Sequence, residues 1–361
     1  MLVTGGAGFI GCNLVRHLLE RDESLRVVNL DALTYAGSMA NVEGVDEQWP
    51  GRHRFVRMDI CDGPAVADLM RDEGVDTVVH LAAESHVDRS IDSAEPFIHS
   101  NIVGTYSLLE AARAVWQGRT GVRFHHVSTD EVFGSLDESG RFTEDTPYDP
   151  RSPYSASKAA SDHLARAWAH TYGLNVTLSN CSNNFGPFQF PEKLLPLMIS
   201  NCLQERPLPV YGDGGNVRDW LYVEDHCEAI ERVLRGGRAG RTYNVGGGNE
   251  WRNIDLVRLL CSLMDELRPR PGGEPHEQLI TFVPDRPGHD RRYAIDASRI
   301  KGELGWRPRH DMRAALGATV RWYVENRSWV ETLLAEKYDG RRLGLPESGQ
   351  APTPPEAPGC V

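Results

Sequence analysis

The sequence lacks the long apolar run that a membrane-spanning helix requires, since no stretch in its 361 residues approaches the ~20 apolar residues that cross a bilayer. It also lacks the positively charged opening segment of a signal peptide. Acidic residues outnumber basic ones, and the formal net charge is -12 at pH 7. A nucleic-acid-binding face needs clustered Lys and Arg. We therefore expect a cytoplasmic protein whose partner is neither a membrane nor a nucleic acid.

Cysteine is scarce and scattered. The chain has seven cysteines, an odd number, and no two of them are spaced as C-x-x-C. A disulfide framework and a structural zinc site both need closer and more regular spacing. The pattern indicates reduced cysteines and no resident metal ion.

The opening residues, MLVTGGAGFIG, are typical of a nucleotide-binding strand and turn. Gly5, Gly8 and Gly11 follow a short apolar strand and precede a helical pattern. Glycines at this spacing permit a tight turn and let a pyrophosphate approach the amino end of the helix. The next apolar strand ends at Asp31, twenty residues past Gly11, where a carboxylate can accept from both ribose hydroxyls and would repel a 2′-phosphate. The spacing predicts NAD rather than NADP as the cofactor.

Strands and helices go on alternating through the first half of the chain. A third strand, 54–62, ends in Asp59 and Ile60, which would contact the adenine. The residues at 81–83 end a fourth strand and are small enough to let a dinucleotide lie across the sheet, although plain core packing is the alternative. Parallel strands joined by helical crossovers form a doubly wound sheet. We expect an α/β fold with a Rossmann NAD-binding domain over residues 1–185.

The segment HHVSTDEVFGS, residues 125–135, places a hydroxyl and two adjacent acids directly after an apolar strand. Thr129, Asp130 and Glu131 would then lie at the carboxyl end of a parallel strand, which faces the ligand crevice. Two carboxyl groups there can act as acid and base if their surroundings separate their pKa values. Without that position, an Asp-Glu pair is more often a solvated turn or a helix start.

A helix is predicted from Tyr154 to Tyr172, which contains neither Pro nor Gly. Tyr154 and Lys158 then share one face of it. Lowering a phenol pKa from ~10 to about 7 takes roughly 4 kcal/mol, and a neighbouring ammonium and a nicotinamide cation both favour that change. Tyr154 would take a proton from an alcohol while hydride leaves the same carbon, with Thr129 bonding the oxygen. Taken alone, Tyr-x-x-x-Lys is equally consistent with an ordinary amphipathic helix.

Proline breaks the alternation in the second half, which predicts a smaller C-terminal α/β substrate-binding lobe over 186–340, with some segments returning to the first domain. Asn183 and Asn184, near the end of a strand, can bond phosphate, sugar or nicotinamide, although Asn-rich turns are common. Arg218 has the fork geometry of a diphosphate clamp, although an exposed Arg is more often structural or idle. Residues 341–361 are Pro-rich and polar, and we expect them to be disordered.

Together these motifs resemble the extended short-chain dehydrogenase/reductase superfamily, and more narrowly its nucleotide-diphosphate-sugar 4,6-dehydratases. The resemblance runs from Met1 to about Trp322 and is carried by LVTGGAGFIG, DALTYAG, LAAESHVDRSI, NIVGTYSLLEA, STDEVFG, SPYSASKA, NCSNNFGP, FPEKLLPL, RDWLYVEDH and DRPGHDRRYAID. It implies NAD as the cofactor and a nucleotide-diphosphate sugar as the substrate, with dTDP-glucose favoured. The family is commonly a homodimer, paired through the helix near 95–116 and the Tyr154 helix.

The resemblance also implies an internal redox cycle. Tyr154 deprotonates the sugar C4 hydroxyl while NAD takes the hydride, with Thr129 and Lys158 assisting. Glu131 then removes the C5 proton, Asp130 donates to the departing C6 hydroxyl, and hydride returns to C6. Two alternatives stay open: a UDP-sugar 4-epimerase or decarboxylase, which oxidises C4 without this elimination, and a non-catalytic protein that binds NAD or a nucleotide sugar.

The resemblance assigns further residues by task. Those expected to bind NAD are Gly5, Gly8, Phe9, Ile10, Gly11, Asp31, Leu33, Thr34, Asp59, Ile60, Leu81, Ala82, Ala83, Ser100, Tyr154, Lys158 and Asn184. Those expected to bind the nucleotide sugar are Ser85, Thr129, Asn183, Glu192, Lys193, Leu194, Pro209, Tyr211, Arg218, Asn253, Asp285, Arg286 and His289. For Asn253, a helix N-cap is the alternative role.

Overall fold

The computed structural model describes residues 1–285 and 289–337. In chain order the strands within these residues are β1 (Leu2–Thr4), β2 (Val27–Asp31), β3 (His53–Arg57), β4 (Thr77–His80), β5 (Arg123–Thr129), β6 (Val176–Cys181), β7 (Asn183–Phe185), β8 (Leu208–Tyr211), β9 (Val217–Tyr222), β10 (Thr242–Val245), β11 (Glu250–Arg252) and β12 (Ile280–Val283). The helices are α1 (Phe9–Arg21), α2 (Val45–Gln48), α3 (Gly63–Asp72), α4 (Val87–Asp92), α5 (Glu95–Phe97), α6 (Gly104–Val115), α7 (Pro153–Tyr172), α8 (Leu194–Leu203), α9 (Val223–Gly236), α10 (Asn253–Leu267), α11 (Ser298–Leu304), α12 (Met312–Glu325) and α13 (Arg327–Lys337).

Seven parallel strands form the central sheet, in the order β10-β6-β5-β4-β1-β2-β3. β1 lies between β2 and β4, with Leu2 opposite Val28 of β2 on one side and opposite Val78 of β4 on the other. The order of strands reverses at β1, and doubly wound sheets bind ligands beyond the carboxyl ends of the strands at such a point. The predicted Rossmann α/β fold is confirmed.

Helices cover both faces of this sheet. Every residue of β2 and β6 is buried, as parallel strands with two covered faces require. Successive side chains alternate between the faces, so Leu2 packs in the core under α3, α6 and α7, while Val3 packs in the core under α1 and α9. The two helical layers hold the carboxyl ends of the strands at one edge.

The C-terminal part of the chain has a core of its own. β7, β9 and β11 form a three-stranded sheet, and β8 and β12 form a parallel pair. α8, α10, α12 and α13 contribute the apolar side chains packed with these strands. β10 leaves this part and joins the central sheet beside β6. The lobe therefore has α/β structure and returns one strand to the first sheet, while the division at residue 185 stays a prediction.

The third strand is shorter than predicted. The strand expected over 54–62 ends at Arg57, so Asp59 and Ile60 lie in the turn that follows. The Asp59 carboxylate accepts a hydrogen bond from the Cys61 amide at 2.8 Å, the local bond by which Asp favours turns over strands. Both residues still lie beyond the carboxyl end of the strand.

Two other predicted elements are divided. The strand expected to carry Asn183 and Asn184 is two strands, and the second, β7, pairs with β9 because its apolar side chain, Phe185, belongs to the C-terminal core. The helix expected near 95–116 contains the π-helical segment Ile98–Val103. Such segments are frequent at functional sites.

Among the described residues, no helix is both long and apolar enough to cross a membrane. The tail at 341–361 lies outside the described residues, so its disorder stays a prediction.

Candidate active site

A cavity opens beyond the carboxyl ends of the central strands. Its lining contains residues predicted for catalysis, for NAD binding and for sugar binding. The predicted residues that line it are Gly5, Gly8, Phe9, Ile10, Gly11, Asp31, Thr34, Asp59, Ile60, Leu81, Ala82, Ala83, Ser85, Ser100, Thr129, Glu131, Tyr154, Lys158, Asn183, Asn184 and Lys193. Residues far apart in the sequence therefore meet in one site.

The glycine-rich turn forms one wall by leaving no room for side chains. Gly5 has φ +71°, and a Cβ on it would lie 2.7 Å from the backbone N of Ala82. A Cβ on Gly11 would lie 2.1 Å from the Gly5 carbonyl oxygen. α1 begins directly after Gly8, and no side chain caps this end, so the amide groups of the first turn face an anion site. The turn fits the pyrophosphate of NAD.

Asp31 ends β2 and holds the start of the next loop. Its carboxylate accepts from the Ala7 amide at 2.9 Å and from the Leu33 amide at 2.8 Å. These bonds fix the carboxylate at the edge of the cavity. Leu33 has φ +57°, and its side chain packs against the core under α1 rather than lining the cavity. Its contact with NAD stays a prediction.

Four of the five predicted catalytic residues line the cavity. Thr129 ends β5, and its Oγ1 accepts from the Glu131 amide at 3.3 Å, which starts a short 3-10 helix. Tyr154 and Lys158 lie on α7, and Lys158 Nζ donates to the Val127 carbonyl at 2.9 Å. That bond ties α7 to β5, so the two predicted halves of the site are held together.

The start of α7 sets the direction of its catalytic face. Ser152 Oγ accepts from the Ser155 amide at 3.1 Å, and Ser155 Oγ accepts from the Ser152 amide at 3.0 Å. Pro153 occupies the first helical position, where its fixed φ suits a helix. This capping box begins the helix one residue before Tyr154, and the register then turns Tyr154 and Lys158 toward the cavity.

Asp130 is the fifth predicted catalytic residue, and it lies behind the cavity wall. Its side chain is buried, and Oδ2 has no hydrogen-bond partner among the described residues. Burial, together with the negative charges of Glu131 and Asp219, raises the pKa of Asp130 well above its ordinary value, and Arg218 offsets this only in part. The folded chain therefore favours the protonated form of Asp130 more than water does, and Asp130 directly precedes the cavity-lining Glu131.

The Tyr154 phenol is neutral in the chain alone. Burial raises its pKa well above the ordinary value, the charge of Glu131 raises it further, and a hydrogen bond with Thr129 lowers it only in part. Burial also lowers the pKa of Lys158. The predicted lowering of the phenol pKa involves Lys158 together with a nicotinamide cation, and it stays a prediction.

Asp162 supports the site from behind and is absent from the predicted residues. It is fully buried and accepts from Ser128 Oγ at 2.9 Å and from the Tyr148 hydroxyl at 2.8 Å. Its other oxygen hydrogen-bonds His126 Nε2 at 3.1 Å. One signal in the sequence points to it, since Asp162 follows Lys158 by four positions and so continues the inward-facing row of the helix.

The predicted sugar-binding residues fall into two groups, and the first lies at the cavity. Ser85, Asn183 and Lys193 line it, and Lys193 Nζ donates to the Ser85 carbonyl at 3.0 Å. Glu192 is buried next to them and accepts from Arg89 Nε at 3.0 Å. This end of the cavity is therefore polar and has both positively and negatively charged side chains.

The second group lies outside the cavity lining. It consists of Leu194, Pro209, Tyr211, Arg218, Asn253, Asp285 and His289. Asn253 is the first residue of α10, whose N-cap is Arg252, so the alternative N-cap role of Asn253 is wrong. Arg286 lies outside the described residues. The sugar-binding roles of this group stay predictions.

Arg218 is buried, not an exposed side chain. It donates to the Asp290 carbonyl at 2.9 Å, and its guanidinium lies 4.2 Å from the centre of the Tyr293 ring. Asp285 Oδ1 hydrogen-bonds His289 Nδ1 at 2.6 Å. The positive charge of Arg218 lowers the pKa of Asp130, so Arg218 lies near this catalytic residue.

Several cavity residues escaped the sequence analysis. Tyr35 is one of them: its hydroxyl hydrogen-bonds Ser85 Oγ at 3.2 Å, and the Arg89 guanidinium lies 4.5 Å from its ring centre. Gln189 and Phe190 also line the cavity. Tyr35 lies in the loop after β2, within the DALTYAG motif, whereas Gln189 and Phe190 reach the site from the segment after β7.

Comparisons with known proteins agree on one group of enzymes. The family model described as GDP-mannose 4,6-dehydratase matches residues 2–319. The chain is 56% identical over 351 residues to the dTDP-glucose 4,6-dehydratase of Xanthomonas campestris pv. campestris strain B100, covering 95% of this chain and 98% of that protein. The crystal structure of the dTDP-glucose 4,6-dehydratase of Streptomyces venezuelae with NAD and dTDP bound has a TM-score of 0.85 and 49% identity, covering 92% of this chain and 99% of that one. The enzyme of the same name from Bacillus anthracis strain Ames, in complex with NAD, has a TM-score of 0.82 and 44% identity, covering 92% and 98%.

Proposed function

We infer the function of this chain from its family. The chain belongs to the dTDP-glucose 4,6-dehydratases, within the extended short-chain dehydrogenase/reductase superfamily. It converts dTDP-glucose to dTDP-4-keto-6-deoxyglucose and water as an NAD-dependent hydro-lyase. One observation supports this activity above the alternatives: a buried acid with a raised pKa, Asp130, directly precedes an acid that lines the cavity, Glu131. Oxidation at C4 alone, as in an epimerase, needs neither acid, and a binding protein needs no such pair.

NAD fits the glycine-walled half of the cavity. The turn from Gly5 to Gly11 would hold the pyrophosphate, Asp31 would accept from the ribose hydroxyls, and Asp59 and Ile60 would contact the adenine. Bound there, NAD supplies an acceptor for the sugar hydride and, once reduced, the donor that returns it. A 2′-phosphate would be repelled by Asp31, which disfavours NADP.

Tyr154 removes the proton of the C4 hydroxyl. Burial keeps the phenol neutral in the chain alone, so it needs neighbouring positive charge to ionise. Lys158, held against the Val127 carbonyl at 2.9 Å, provides one such charge and the oxidised cofactor ring another. Thr129 would hydrogen-bond the same sugar oxygen and so hold the C4 hydroxyl against the phenol.

Glu131 and Asp130 carry out the elimination. Glu131 takes the C5 proton, which the new C4 ketone makes acidic, and the C5–C6 double bond forms as the C6–O bond breaks. Asp130 gives its proton to the departing hydroxyl, so water leaves. Asp130 suits this task because its Oδ2 makes no hydrogen bond to any described residue. General acid and base catalysis each contribute typically about 10²–10⁴-fold. Hydride then returns to C6 and Glu131 returns the proton to C5.

The rest of the nucleotide sugar would extend into the C-terminal lobe. Ser85, Asn183 and Lys193 would hold the sugar, since they line the cavity beside the catalytic residues. The buried Arg218 would offer its planar guanidinium to the diphosphate. Asp285 and its neighbours would contact the nucleoside. A 4-keto-6-deoxy sugar nucleotide is an intermediate of deoxysugar biosynthesis, and we place the chain in that process and in the cytoplasm.

The homodimer is also part of the proposal. Ile98, Val103 and Tyr106 are 46%, 40% and 48% exposed, and Tyr172 at the end of α7 is 50% exposed. Tyr106 and Tyr172 both contact the ring of Trp168, so apolar side chains of both helices form one patch. Exposed patches of this kind mark interaction surfaces. Light scattering on the purified protein should find two chains per particle, and a monomer at micromolar concentration would contradict the dimer.

Turnover of three nucleotide sugars tests the proposed activity. Purified protein is incubated with dTDP-glucose, UDP-glucose or GDP-mannose, and products are analysed by mass spectrometry. We expect loss of one water, fastest from dTDP-glucose, without consumption of an external oxidant. Tyr154→Phe should show no turnover. A change of sugar configuration without loss of mass would instead support the epimerase.

A further inference from the structure

Three side chains that the reaction does not use as acids or bases meet beside the proposed adenine end of the cavity. They are Asp59 and Cys61, in the turn after β3, and His99, in the π-helical segment. We propose that this cluster binds a thiophilic divalent cation, of which Zn²⁺ is the best fit.

The distances suit a tetrahedral ion. Cys61 Sγ lies 3.4 Å from His99 Nδ1, and one ligand atom from each of the three residues lies within 4.8 Å of the others. Zinc bonds of about 2.3 Å to sulfur and about 2.1 Å to nitrogen or oxygen separate tetrahedral ligands by roughly 3.5 Å. Small side-chain rotations are therefore enough to close the site around an ion.

The turn after β3 and the π-helical segment contact each other at the cluster, and the cluster is open to solvent. Asp59 Oδ1 accepts from the Cys61 amide at 2.8 Å, which holds the carboxylate beside the Cys61 thiol. Cys61 Sγ also lies 3.5 Å from the His99 carbonyl, so the two segments already touch. Asp59 and His99 are exposed and Cys61 is half-buried, so an ion can enter and a water can complete the coordination.

The donor set selects the class of ion. A thiolate and an imidazole favour Zn²⁺ over Mg²⁺ or Ca²⁺, which prefer oxygen ligands. The other cysteines of the described residues are buried, so Cys61 is the accessible thiol in that part of the chain. The sequence gives no sign of this site, because Cys61 and His99 lie 38 positions apart and only the packing of the π-helical segment against the turn joins them.

Binding at this site should compete with NAD, a consequence that rests on the proposed contact of Asp59 with adenine. Asp59 and Ile60 line the cavity, and so does Ser100, the neighbour of His99. An ion that engages the Asp59 carboxylate removes an acceptor from the adenine amino group. Because such coupling is reciprocal, the ion and NAD then weaken each other's binding by the same factor.

Titration of the purified full-length protein with Co²⁺ tests the site itself. We expect one Co²⁺ per chain and a thiolate-to-cobalt charge-transfer band in the near ultraviolet. Cys61→Ser should remove the band and His99→Asn should weaken binding at least tenfold. Cys360→Ser, at a cysteine outside the described residues, should leave it unchanged. Absence of the band from the wild type, or its persistence in Cys61→Ser, overturns the site.

Release of NAD tests the competition. Zn²⁺ added to the NAD-bound wild type should release NAD into the filtrate, EDTA should reverse the release, and His99→Asn should release none. Zinc binding with full retention of NAD would overturn the competition and leave the cation site standing. Failure of the dTDP-glucose assay would concern the proposed function alone, since neither the cobalt band nor the release of NAD depends on turnover.

Discussion

The Ser128 hydroxyl donates a 2.9 Å hydrogen bond to the Asp162 carboxylate, and this bond joins the two halves of the active site. Ser128 precedes Thr129 on β5, whereas Asp162 lies on α7 after Tyr154 and Lys158. The catalytic strand and the catalytic helix are therefore positioned by a buried carboxylate as well as by apolar packing. The first two predictions concern this carboxylate.

Asp162→Asn should lower the free energy of unfolding by about 1–3 kcal/mol, the usual cost of leaving buried polar groups without partners. The wild-type carboxylate makes hydrogen bonds with Ser128, Tyr148 and His126 together. A neutral amide cannot accept from all of them. Urea unfolding measures the change. Asp145→Asn is the matched control, since the Asp145 side chain is 85% exposed, and it should change stability by less than about 0.5 kcal/mol. Equal effects of the two variants would contradict the prediction.

The contribution of Asp162 should depend on pH. Burial alone would raise the pKa of its carboxyl, but hydrogen bonds from His126 and Ser128 and the charge of Lys158 bring the pKa below its ordinary value. Ionised Asp162 therefore stabilises the folded state above its unfolded pKa of about 3.9, and this stabilisation is lost as the pH falls through the folded pKa. The difference in unfolding free energy between wild type and Asp162→Asn should be constant from neutral pH down to that region and shrink below it. A difference that grows on acidification would refute the assignment.

Asp130→Asn should reduce activity and increase stability. The raised pKa of Asp130 comes from burial and from Glu131 and Asp219, so the folded state loses relative stability as the pH rises from about 3.9, the unfolded pKa, through the folded value. The amide removes this penalty. The urea midpoint of the variant should exceed that of the wild type at pH 7 and approach it in acid, while turnover falls about 10²–10⁴-fold. A midpoint below the wild type at pH 7 would be inconsistent with a raised pKa of Asp130.

Glu131→Gln should separate oxidation from dehydration. Enzyme-bound NADH should still form from dTDP-glucose, because Tyr154 carries out the first step, but water should not be lost. The charge of Glu131 also raises the pKa of Tyr154, second only to burial, so the pH at which NADH formation is half-maximal should move to lower values. Single-turnover absorbance of NADH measures both effects. Glu138→Gln, at an exposed position, serves as the control. A wild-type dehydration rate in Glu131→Gln would contradict the assignment of Glu131 as the base that removes the C5 proton.

Gly11→Ala should weaken the binding of NAD. The new Cβ would lie 2.1 Å from the Gly5 carbonyl oxygen, and overpacking of this kind costs about 1–3 kcal/mol. The NAD content of the purified variant and its urea midpoint should both fall. Gly302→Ala is the control, because a Cβ there meets nothing within 4 Å and α11 favours Ala over Gly by up to about 1 kcal/mol. Equal NAD content in both variants would show that the turn tolerates a side chain.

The parts of the site that local sequence predicted well are those built by neighbouring residues. The glycine turn and Asp31 depend on a strand, a turn and a helix start within one short segment, and the structure places them at one cavity. Tyr154 and Lys158 depend only on helical spacing and a capped start. In each case the backbone geometry of one element decides where the side chains point.

Local sequence is least informative where distant partners compete. β7 leaves the central sheet because Phe185 packs in the other core. In the chain without cofactor, burial and the charge of Glu131 raise the pKa of Tyr154, and neither is visible in the helical spacing. Propensity and spacing carry no information about such long-range terms.

The sequence by itself determined the order of strands and helices, the cofactor turn and the catalytic residue types, because each is encoded in periodicity and short-range spacing. Only the tertiary structure decided that Asp130 is buried with a raised pKa while Glu131 lines the cavity, and that Asp162 supports both catalytic elements. The reason is physical: desolvation and buried hydrogen bonds depend on which segments pack together, and packing joins residues that the chain keeps far apart.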